Sequence, residues 1–510
     1  MENRLVAVLE IGSTGIRLLV AQIQSDGQWT VLDNAGMPAS LGRDVFNSGE
    51  LSRESLLECL TILQSFKELL TGWGIAATDT HVIATSALRV ARNRDMFIDR
   101  IRQETGFNPV VVDGVDENRL MYLGVRFALK KDLPLFWKAN SMIIEIGGGS
   151  TEIMLLDRGK MVASHSIKLG TIIIDQRTRL GTRSNLAHER YLGEAIHNTT
   201  GLLNAEMDLS RVRNFVMAGS DARFVAVQAG AGLNEHCRII NRNDFIAFAE
   251  KIRHYSIEEC VHKLGITYYE AEGFIPGIQI LKLFLEQTGA ARVVVPLISI
   301  REGYLIDLAL GVDSDLQTEF FSQIIASAVN LGRKFHFDET HSLHVARFCM
   351  TLFDAIATVH GMNRYHRMML ETAAILHDIG AYIKASGHNR HGQYIIANSE
   401  IFGLPRDDLN IIANVIRYHR GDPPAESDIE YISLQHEERI LVLKMASILR
   451  VAEALDRGHS QQIKKLTVER RSESIILHTH GGYNISLEFM GIEEKAALFQ
   501  DAFGFKVILN

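Results

Sequence analysis

The sequence predicts a multidomain protein of mixed class, with two similar α/β domains around a cleft, an all-helical domain and a small α+β C-terminal domain. Three observations predict this fold class. A strand–turn–strand unit occurs twice, apolar residues follow a helical period from Gln317 to about Arg457, and Lys465–Asn510 alternates in hydrophobicity. We expect domains at 1–126, 127–312, 313–464 and 465–510, since 510 residues suit about three to four domains.

Composition and charge exclude several classes of protein. Hydrophobic residues make up 46% and charged residues 22%, as in an ordinary globular protein with a sizeable core. The four cysteines are scattered without a CxxC pair, so neither a disulfide framework nor a zinc site is implied. The net charge of −8 disfavours nucleic acid as a partner, so a polyanion must be met by local arginines and backbone donors. We recognise no signal peptide and no membrane-spanning run, and therefore expect a cytoplasmic protein without membrane contact.

The repeated unit is the most informative feature of the chain. It reads LVAVLEIGSTGIRLLVAQI over Leu5–Ile23 and SMIIEIGGGSTEIMLLDRG over Ser141–Gly159. An apolar run, an acid, a glycine-rich turn and a second apolar run predict a β-hairpin. Because glycine and serine let backbone N–H groups approach an anion, each turn can lie against a phosphate. The candidate phosphate-binding residues are Gly12, Ser13, Thr14 and Arg17 in the first unit, and Gly147, Gly148, Gly149, Ser150 and Thr151 in the second.

Acidic residues accompany both turns. Glu10 and Glu145 stand at the turn mouths, where a carboxylate can hold Mg²⁺ or orient a water. Glu152, on the returning strand of the second unit, is either a further metal or water ligand or a solvated strand acid. Asp116 and Glu117 begin a predicted helix, where acids usually stabilise the helix dipole. The alternative makes Glu117 a general base that activates water for attack on a terminal phosphate.

The other predicted elements follow from hydrophobic period and turn residues. In Val82–Asn93 a strand leads to a helix start carrying Ser86, Arg89 and Arg92, which is either an anion site or an ordinary capped helix with solvated arginines. The first half also holds helix Ser52–Trp73, strand His81–Thr85, helix Asp95–Thr105, strand Pro109–Val112 and helix Asp116–Leu129. The second half holds hairpin Met142–Leu156, strand Arg213–Ala218, a long helical stretch, strand Arg292–Pro296 and segment Ser299–Leu310. The alternating segments KLTVERR, SIILHTH and NISLEF, then a helix and a strand, complete the chain.

Seven segments together resemble the exopolyphosphatase/guanosine pentaphosphate phosphohydrolase (Ppx/GppA) family. EIGSTGIRL and EIGGGSTEI are similar to its two phosphate loops, ATSALRVARN to its second motif and DGVDENRLMYLGV to its catalytic-glutamate helix. IKLG, AGSDARFVA and ISIREGYL follow in family order. The resemblance covers essentially the whole chain and implies two actin-like (ribonuclease H-like) α/β domains of the superfamily that includes sugar kinases and Hsp70.

The resemblance also implies roles for particular residues. Glu117 would be the catalytic base with Arg89 assisting, Glu145 and Glu152 would hold Mg²⁺ or water, and the glycines and serines of both turns would cradle phosphates. The implied cofactor is Mg²⁺, or Mn²⁺ in its place, and a homodimer is implied by family analogy. The chain departs from the usual family pattern in carrying Glu rather than Asp at positions 10 and 145, S-T-G in the first loop, Ser40 for an arginine, and G-S-D at Gly219–Asp221.

The helical domain carries a second set of candidate ligands. HSLHVARF, ILHDIG and SILRVAEALDR resemble the HD-domain metal-dependent phosphohydrolases. The candidate divalent-metal site is His341, His377, Asp378 and Glu453, with Asp456 as the alternative to Glu453 and with His388, His391 and His419 as further candidates. The alternative is a packing scaffold of partnered histidines, or a metal site without turnover.

These observations predict an acid anhydride hydrolase. We expect Mg²⁺-assisted release of terminal phosphate from inorganic polyphosphate, of the 5′-phosphate of pppGpp, or of both, by in-line attack of a water activated by Glu117. ATPase or sugar-kinase chemistry is disfavoured because no adenosine motif is evident. The alternative from another class is a polyphosphate or (p)ppGpp sensor with weakened catalysis.

Overall fold

The computed structural model describes residues 4–25, 27–129, 136–174, 185–309, 315–481 and 484–510, with backbone alone for 185–191 and 315. The chain divides into two compact units, Met1–Thr318 and Glu319–Asn510. The finer division into four domains stays a prediction.

The first half of the N-terminal unit is built on a five-stranded sheet of order β3-β2-β1-β4-β5. Strands β1 and β2 form an antiparallel hairpin, whereas β4 pairs parallel to β1 and β5 parallel to β4. The strands are β1 (Arg4–Ile11), β2 (Gly15–Ile23), β3 (Trp29–Pro38), β4 (Thr80–Ala84) and β5 (Pro109–Val111). The helices are α1 (Leu41–Ser48), α2 (Arg53–Gly72), α3 (Ser86–Val90), α4 (Arg94–Thr105) and α5 (Gly114–Leu129), with a 3₁₀ turn at Ala77–Asp79.

The second half repeats this plan in a seven-stranded sheet of order β10-β11-β12-β9-β6-β7-β8. Its strands are β6 (Ser141–Ile146), β7 (Thr151–Asp157), β8 (Lys160–Ile167), β9 (Asn214–Ala218), β10 (Ala231–Asn234), β11 (Cys237–Asn241) and β12 (Arg292–Pro296). Its helices are α6 (Asn185–Glu206), α7 (Ser220–Ala229), α8 (Arg242–Ile252), α9 (Ile257–Leu264), α10 (Tyr268–Glu286) and α11 (Ile300–Ala309), with 3₁₀ turns at Phe136–Lys138 and Leu209–Arg211. Strands β8-β7-β6-β9-β12 have the same order and directions as the first sheet, which confirms the predicted duplication.

The added hairpin β10–β11 corrects one prediction, because the sequence indicated a helical stretch between β9 and β12. The two strands are four and five residues long and sit at the sheet edge, with Glu235 and His236 between them. Strands this short carry too few residues for a period-2 pattern to stand out.

Each half has its own apolar core, since side chains on alternate positions of the strands point to opposite faces. Leu9 and Ile11 of β1 pack with helices of the first half, and Ile144 of β6 packs in the equivalent core of the second. The other face of β1, including Val6 and Val8, packs against Leu305 of α11. Helix α11 therefore follows the second sheet in sequence but covers the first sheet in space.

The C-terminal unit begins as a helical assembly. Its helices are α12 (Asp315–Lys334), α13 (Glu339–Ala355), α14 (Ala357–His360), α15 (Arg364–Leu376), α16 (His388–Ala397), α17 (Arg406–Arg417), α18 (Ile429–Ile432) and α19 (His436–Ala454), with a 3₁₀ turn at Ile379–Tyr382. Residues 315–464 are all described and hold no strand, which confirms the helical prediction. None of the described helices is both long and apolar enough to cross a membrane.

The chain ends in a three-stranded sheet of order β13-β14-β15 with two helices. The elements are β13 (Lys465–Arg470), β14 (Ser474–His480), α20 (Ser486–Lys495), α21 (Ala497–Phe503) and β15 (Lys506–Leu509). The segment NISLEF, predicted to alternate as a strand, instead begins α20. Its buried residues Glu488, Gly491 and Ile492 lie three to four positions apart, the spacing of one helix face.

Candidate active site

The two repeated hairpins close their turns in the same way. The N–H of Gly12 donates to the carbonyl of Gly15 at 3.0 Å, and the N–H of Gly147 donates to that of Ser150 at 2.8 Å. Across the strands, Glu10 lies opposite Arg17 in the first hairpin and Glu145 lies opposite Glu152 in the second. The equivalent positions therefore carry an acid with an arginine in one hairpin and two acids in the other.

The two turns face each other at close range. A Cβ atom on Gly148 would lie 3.0 Å from Cβ of Ser13 and 2.9 Å from Cδ1 of Ile172, so only glycine fits without displacing a neighbour. The hydroxyl oxygens of Ser13 and Ser86 are 2.9 Å apart, which ties the start of α3 to the first turn. This contact brings the predicted anion-binding segment beside the predicted phosphate loops.

The turns border a cavity of about 110 Å³. Of the predicted site residues it is lined by Glu10, Gly12, Ser13, Thr14, Arg17, Ser86, Glu117, Glu145, Gly147, Gly148, Ser150 and Glu152. Three predicted residues are not in its lining. The Thr151 hydroxyl donates to the Leu169 carbonyl, and a Cβ on Gly149 would meet the Phe46 ring. Arg89 does not line the cavity itself but pairs with Glu117, which does.

Glu117 is the predicted base, and it lies in the first turn of α5 with only 9% of its surface exposed. Nη1 of Arg89 lies 3.0 Å from its Oε1 and also donates to the carbonyl of Val112 at 3.0 Å. Burial raises the pKa of Glu117 to about 8, with Arg89 opposing the rise and Glu152 and Glu10 adding to it. Such a carboxyl group is tuned for proton transfer near neutral pH.

The other three acids of the cavity differ in their partners. Glu152 accepts hydrogen bonds from Ser166 at 2.8 Å, Ser150 at 2.9 Å and Asn118 at 3.1 Å, and burial raises its pKa to about 7 despite them. The arrangement excludes the solvated strand acid considered for Glu152.

Glu10 and Glu145 occupy equivalent positions in different surroundings. Glu10 lies between two guanidinium groups, with Arg17 at 3.9 Å and Arg301 at 3.4 Å. Among the described residues no hydrogen bond or ion pair engages the Glu145 carboxylate, and burial with the nearby Glu117 charge raises its pKa to about 7. Of the four acids, Glu145 is therefore the one whose carboxylate lacks a direct partner among the described residues, and a bound cation would stabilise its charge most.

Sequence reasoning missed Arg223, which also lines the cavity and whose Nη1 donates to the Ile298 carbonyl at 3.0 Å. It lies in the first turn of α7, within the quoted AGSDARFVA segment, so its position just after Gly219 was the available signal. Asp221 of the G-S-D turn borders a neighbouring cavity of about 90 Å³ and does not line the first one.

The donor set fits Mg²⁺, which binds through one or two carboxylates together with substrate phosphates rather than in an all-protein cage. Among the described residues, no three ligand atoms of the cavity acids lie within 4.8 Å of one another. A cation here would therefore share its coordination with phosphate oxygens.

The histidine candidates lie in the C-terminal unit, and the structure brings most of them together. His341, His377, His388 and His419 all approach Asp378. The prediction for Glu453 was wrong, because its carboxylate pairs with Lys495, whereas Asp456, the predicted alternative, lies 2.8 Å from Nδ1 of His341. His391 lies outside the cluster with Nδ1 against the Lys384 carbonyl, and His459, which sequence reasoning missed, completes it.

Two sheets of the same strand order, each with a hairpin whose turn borders one acidic cavity, define a duplicated α/β protein. The model of the Ppx/GppA phosphatase family matches residues 19–311, and that of its domain III matches residues 325–491. The chain belongs to the Ppx/GppA phosphatase family, whose members are phosphatases.

Relatives and solved structures agree with this membership. The guanosine-5'-triphosphate,3'-diphosphate pyrophosphatase of Pseudoalteromonas atlantica is 23% identical over 470 residues, covering 88% of this chain and 87% of that protein. The protein of the same description from Vibrio atlanticus is 22% identical over 451 residues, covering 87% and 86%. The crystal structure of an exopolyphosphatase from Cytophaga hutchinsonii superposes with a TM-score of 0.54 at 19% identity, covering 60% of this chain and 98% of that one, and shows the fold alone.

Proposed function

We propose that this protein is a Mg²⁺-dependent phosphohydrolase that releases terminal phosphate from inorganic polyphosphate, the 5′-phosphate of pppGpp, or both. The observation that carries the proposal is the buried Glu117–Arg89 pair at a cavity bordered by two phosphate-loop turns. The relative described as a guanosine-5'-triphosphate,3'-diphosphate pyrophosphatase supports the pppGpp substrate, and inorganic polyphosphate rests on the membership of the Ppx/GppA phosphatase family and its motif resemblance.

The cavity residues divide into groups that bind phosphate and groups that move a proton. The turn backbones, the hydroxyls of Ser13, Ser86 and Ser150, and the guanidinium groups of Arg17 and Arg223 present donors to phosphate oxygens. Glu117 accepts a proton from water as its oxygen attacks the terminal phosphorus in line. The bond from that phosphorus to the bridging oxygen then breaks, giving inorganic phosphate and the shortened substrate.

Glu145 fits best as a holder of Mg²⁺, with Glu152 and Glu10 as neighbouring carboxylates. When bound, Mg²⁺ would neutralise phosphate charge in the transition state. Glu152 already accepts three hydrogen bonds, and Glu10 is already flanked by two arginines, so neither requires the ion as Glu145 does.

The test compares two adjacent acids. Glu117→Gln keeps the shape of the side chain and removes the base, and it should lower phosphate release by about 10²- to 10⁴-fold with Mg²⁺ and either substrate. Asp116→Asn is the matched control, because Asp116 pairs with Arg119 and does not line the cavity, so its rate should stay within about threefold.

Equal rates for the two variants would contradict the proposal. Tight binding of polyphosphate or pppGpp without any Glu117-dependent release would contradict it as well and would favour the sensor. A homodimer remains a prediction from the family resemblance, and sedimentation of the purified protein tests it.

A further inference from the structure

Asn118 is a buried polar side chain beside the proposed base, and the proposed function gives it no role. It follows Glu117 in α5 and has 2% of its surface exposed. Its Nδ2 donates to Oε2 of Glu152 at 3.1 Å. Its Oδ1 is buried and accepts no hydrogen bond from the described residues. Asn118 does not line the cavity, so its contact with the site is made through Glu152.

The unpartnered amide oxygen of Asn118 opposes folding. An oxygen that leaves water without gaining a donor loses its hydration without compensation. Asparagine also forms helices less readily than leucine or alanine does. The next buried positions of α5 are apolar or aromatic: Leu120, Met121, Tyr122 and Leu123. An apolar residue at position 118 would therefore favour folding, and a polar group that is kept at such a cost indicates a role in function.

The Glu152 carboxylate needs a donor on each oxygen to have a fixed orientation. The hydroxyls of Ser166 and Ser150 both donate to Oε1, at 2.8 and 2.9 Å. Among the described residues, Asn118 alone donates to Oε2. The terminal torsion of a glutamate side chain has a broad energy minimum, so a carboxylate that is held at one oxygen can turn about it. Asn118 therefore fixes the plane of this carboxylate.

The same hydrogen bond joins the two halves of the N-terminal unit. Asn118 and Glu117 belong to α5 of the first half, whereas Glu152 belongs to β7 of the second. Gly114 lets the start of α5 approach β7 and β8, because a Cβ atom there would lie 2.6 Å from Oγ of Ser166 and 3.5 Å from Oε2 of Glu152. The proposed base and the contact to the second hairpin thus come from adjacent residues of one helical turn.

We propose that Asn118 is a positioning residue, whose amide group fixes the Glu152 carboxylate and holds it at a set distance from the Glu117 base. This inference rests on the proposed function, in which Glu152 is a carboxylate beside the cation held by Glu145. A carboxylate with a fixed plane presents its oxygens in one geometry, and Mg²⁺ demands near-ideal octahedral geometry. Loss of the amide should therefore weaken cation binding and slow the chemical step, with little effect on the binding of phosphate by the turns.

The first test measures cation binding without turnover. The full-length protein is titrated with Mn²⁺ in the presence of methylenediphosphonate, a pyrophosphate analogue that is not hydrolysed, and bound Mn²⁺ is measured by electron paramagnetic resonance. The ion of the cavity is the one that Glu145→Gln removes. Asn118→Leu keeps the branching of the side chain and removes the amide, and it should bind this ion at least about tenfold more weakly than the wild type.

The matched control is Asn214→Leu, because the Asn214 amide donates to the Phe136 carbonyl and the Ser141 hydroxyl and does not line the cavity. This variant should keep the wild-type affinity for Mn²⁺ but unfold at a lower urea concentration, since two acceptors lose their donor. Asn118→Leu should be at least as stable as the wild type, because the unpartnered oxygen is gone and water in the cavity can replace the donor to Glu152. Asn118→Ala, which adds no bulk, repeats both measurements if leucine prevents folding. Equal Mn²⁺ affinity in the wild type and the folded Asn118 variant, or a wild type without any ion that Glu145→Gln removes, would overturn the proposal.

The second test measures phosphate release from polyphosphate and pppGpp. In Asn118→Leu the Mg²⁺ concentration for half-maximal rate should rise about tenfold and kcat at saturating Mg²⁺ should fall about tenfold, with KM for the phosphate substrate within about threefold of the wild type. A change in KM alone would overturn the proposal. A wild type that releases no phosphate would contradict the proposed function, whereas weaker Mn²⁺ binding by Asn118→Leu would still support the positioning of Glu152.

Discussion

Glu117 is buried and has an arginine partner, and these two features determine how the rate of phosphate release should depend on pH. Burial raises its pKa to about 8, so without a cation much of the group is protonated at pH 7 and cannot accept a proton. At limiting Mg²⁺ we therefore expect kcat/KM to rise with pH through about 8. Saturating Mg²⁺ should move this rising limb to lower pH, because a positive charge favours the carboxylate. Rate profiles at two Mg²⁺ concentrations measure both effects, and a limb that moves to higher pH would contradict them.

Arg89 is the group that restrains this pKa. Its guanidinium group lowers the pKa of Glu117, so Arg89→Gln should raise that pKa and move the rising limb to higher pH. A limb displaced by about one pH unit lowers the rate at pH 7 by about tenfold. Arg92→Gln is the control, because Arg92 contacts Glu50 and the Ser48 carbonyl instead. A loss of rate at all pH values with no displacement of the limb would show that Arg89 acts in another way.

For individual residues, the sequence identified most of those that line the cavity, because the acids and glycines of a hairpin turn necessarily lie close to one another. It could not choose between Glu453 and Asp456, because residues three apart lie on the same helix face. The choice is made by Lys495, which comes from α20 and pairs with Glu453. The spacing of histidines likewise could not separate His391 from His388, which are also three apart, because only the tertiary contacts show that His388 meets Asp378 and His391 meets the Lys384 carbonyl.

The two hairpin turns act as one element, because they pack against each other through Gly148 and Ser13. Gly148→Ala would push Ser13 and Ile172 apart, so we expect a stability loss of about 1–3 kcal/mol and a several-fold higher KM for polyphosphate. Gly201→Ala in α6 is the matched control, because its new methyl group meets nothing within 4 Å, and it should gain about 0.5–1 kcal/mol. Chemical denaturation and initial rates test both, and an unchanged KM in Gly148→Ala would show that the turns do not seat the substrate.

The sequence predicted these hairpins well because both strands of each are long, apolar and bounded by glycine. It missed β10–β11 and the start of α20 because short segments of mixed polarity fit more than one period. It also did not predict that α11 covers the first sheet, since that packing joins Leu305 to Val6 and Val8 across almost 300 residues of sequence. Tertiary packing of this kind leaves no local pattern.

The whole molecule carries a net charge of −8, so attraction of a polyanion depends on the few arginines of the cavity. Of the described residues, two arginines line it, Arg17 and Arg223. Each phosphate contact adds about 0.7 to the slope of log affinity against log salt. With two arginines, a plot of log KM for polyphosphate against log salt concentration should therefore rise with a slope no steeper than about 1.5. Arg17→Gln should lower that slope, whereas Arg53→Gln on the exposed start of α2 should not. A slope several times steeper would place the binding surface outside the cavity.

The duplication of the hairpins has a consequence for the direction in which a linear substrate can lie in the cavity. The backbones of the two copies are equivalent, but the residue facing the turn acid is Arg17 in one and Glu152 in the other. The two ends of a linear inorganic polyphosphate are chemically identical. Any preference for one orientation of the bound chain must therefore come from the protein. For this proposed substrate, the first hairpin presents an acid paired with an arginine, whereas the second hairpin presents two acids. The two copies of one motif thus differ in charge at the position that faces the turn acid, and this difference makes the two sides of the cavity unlike.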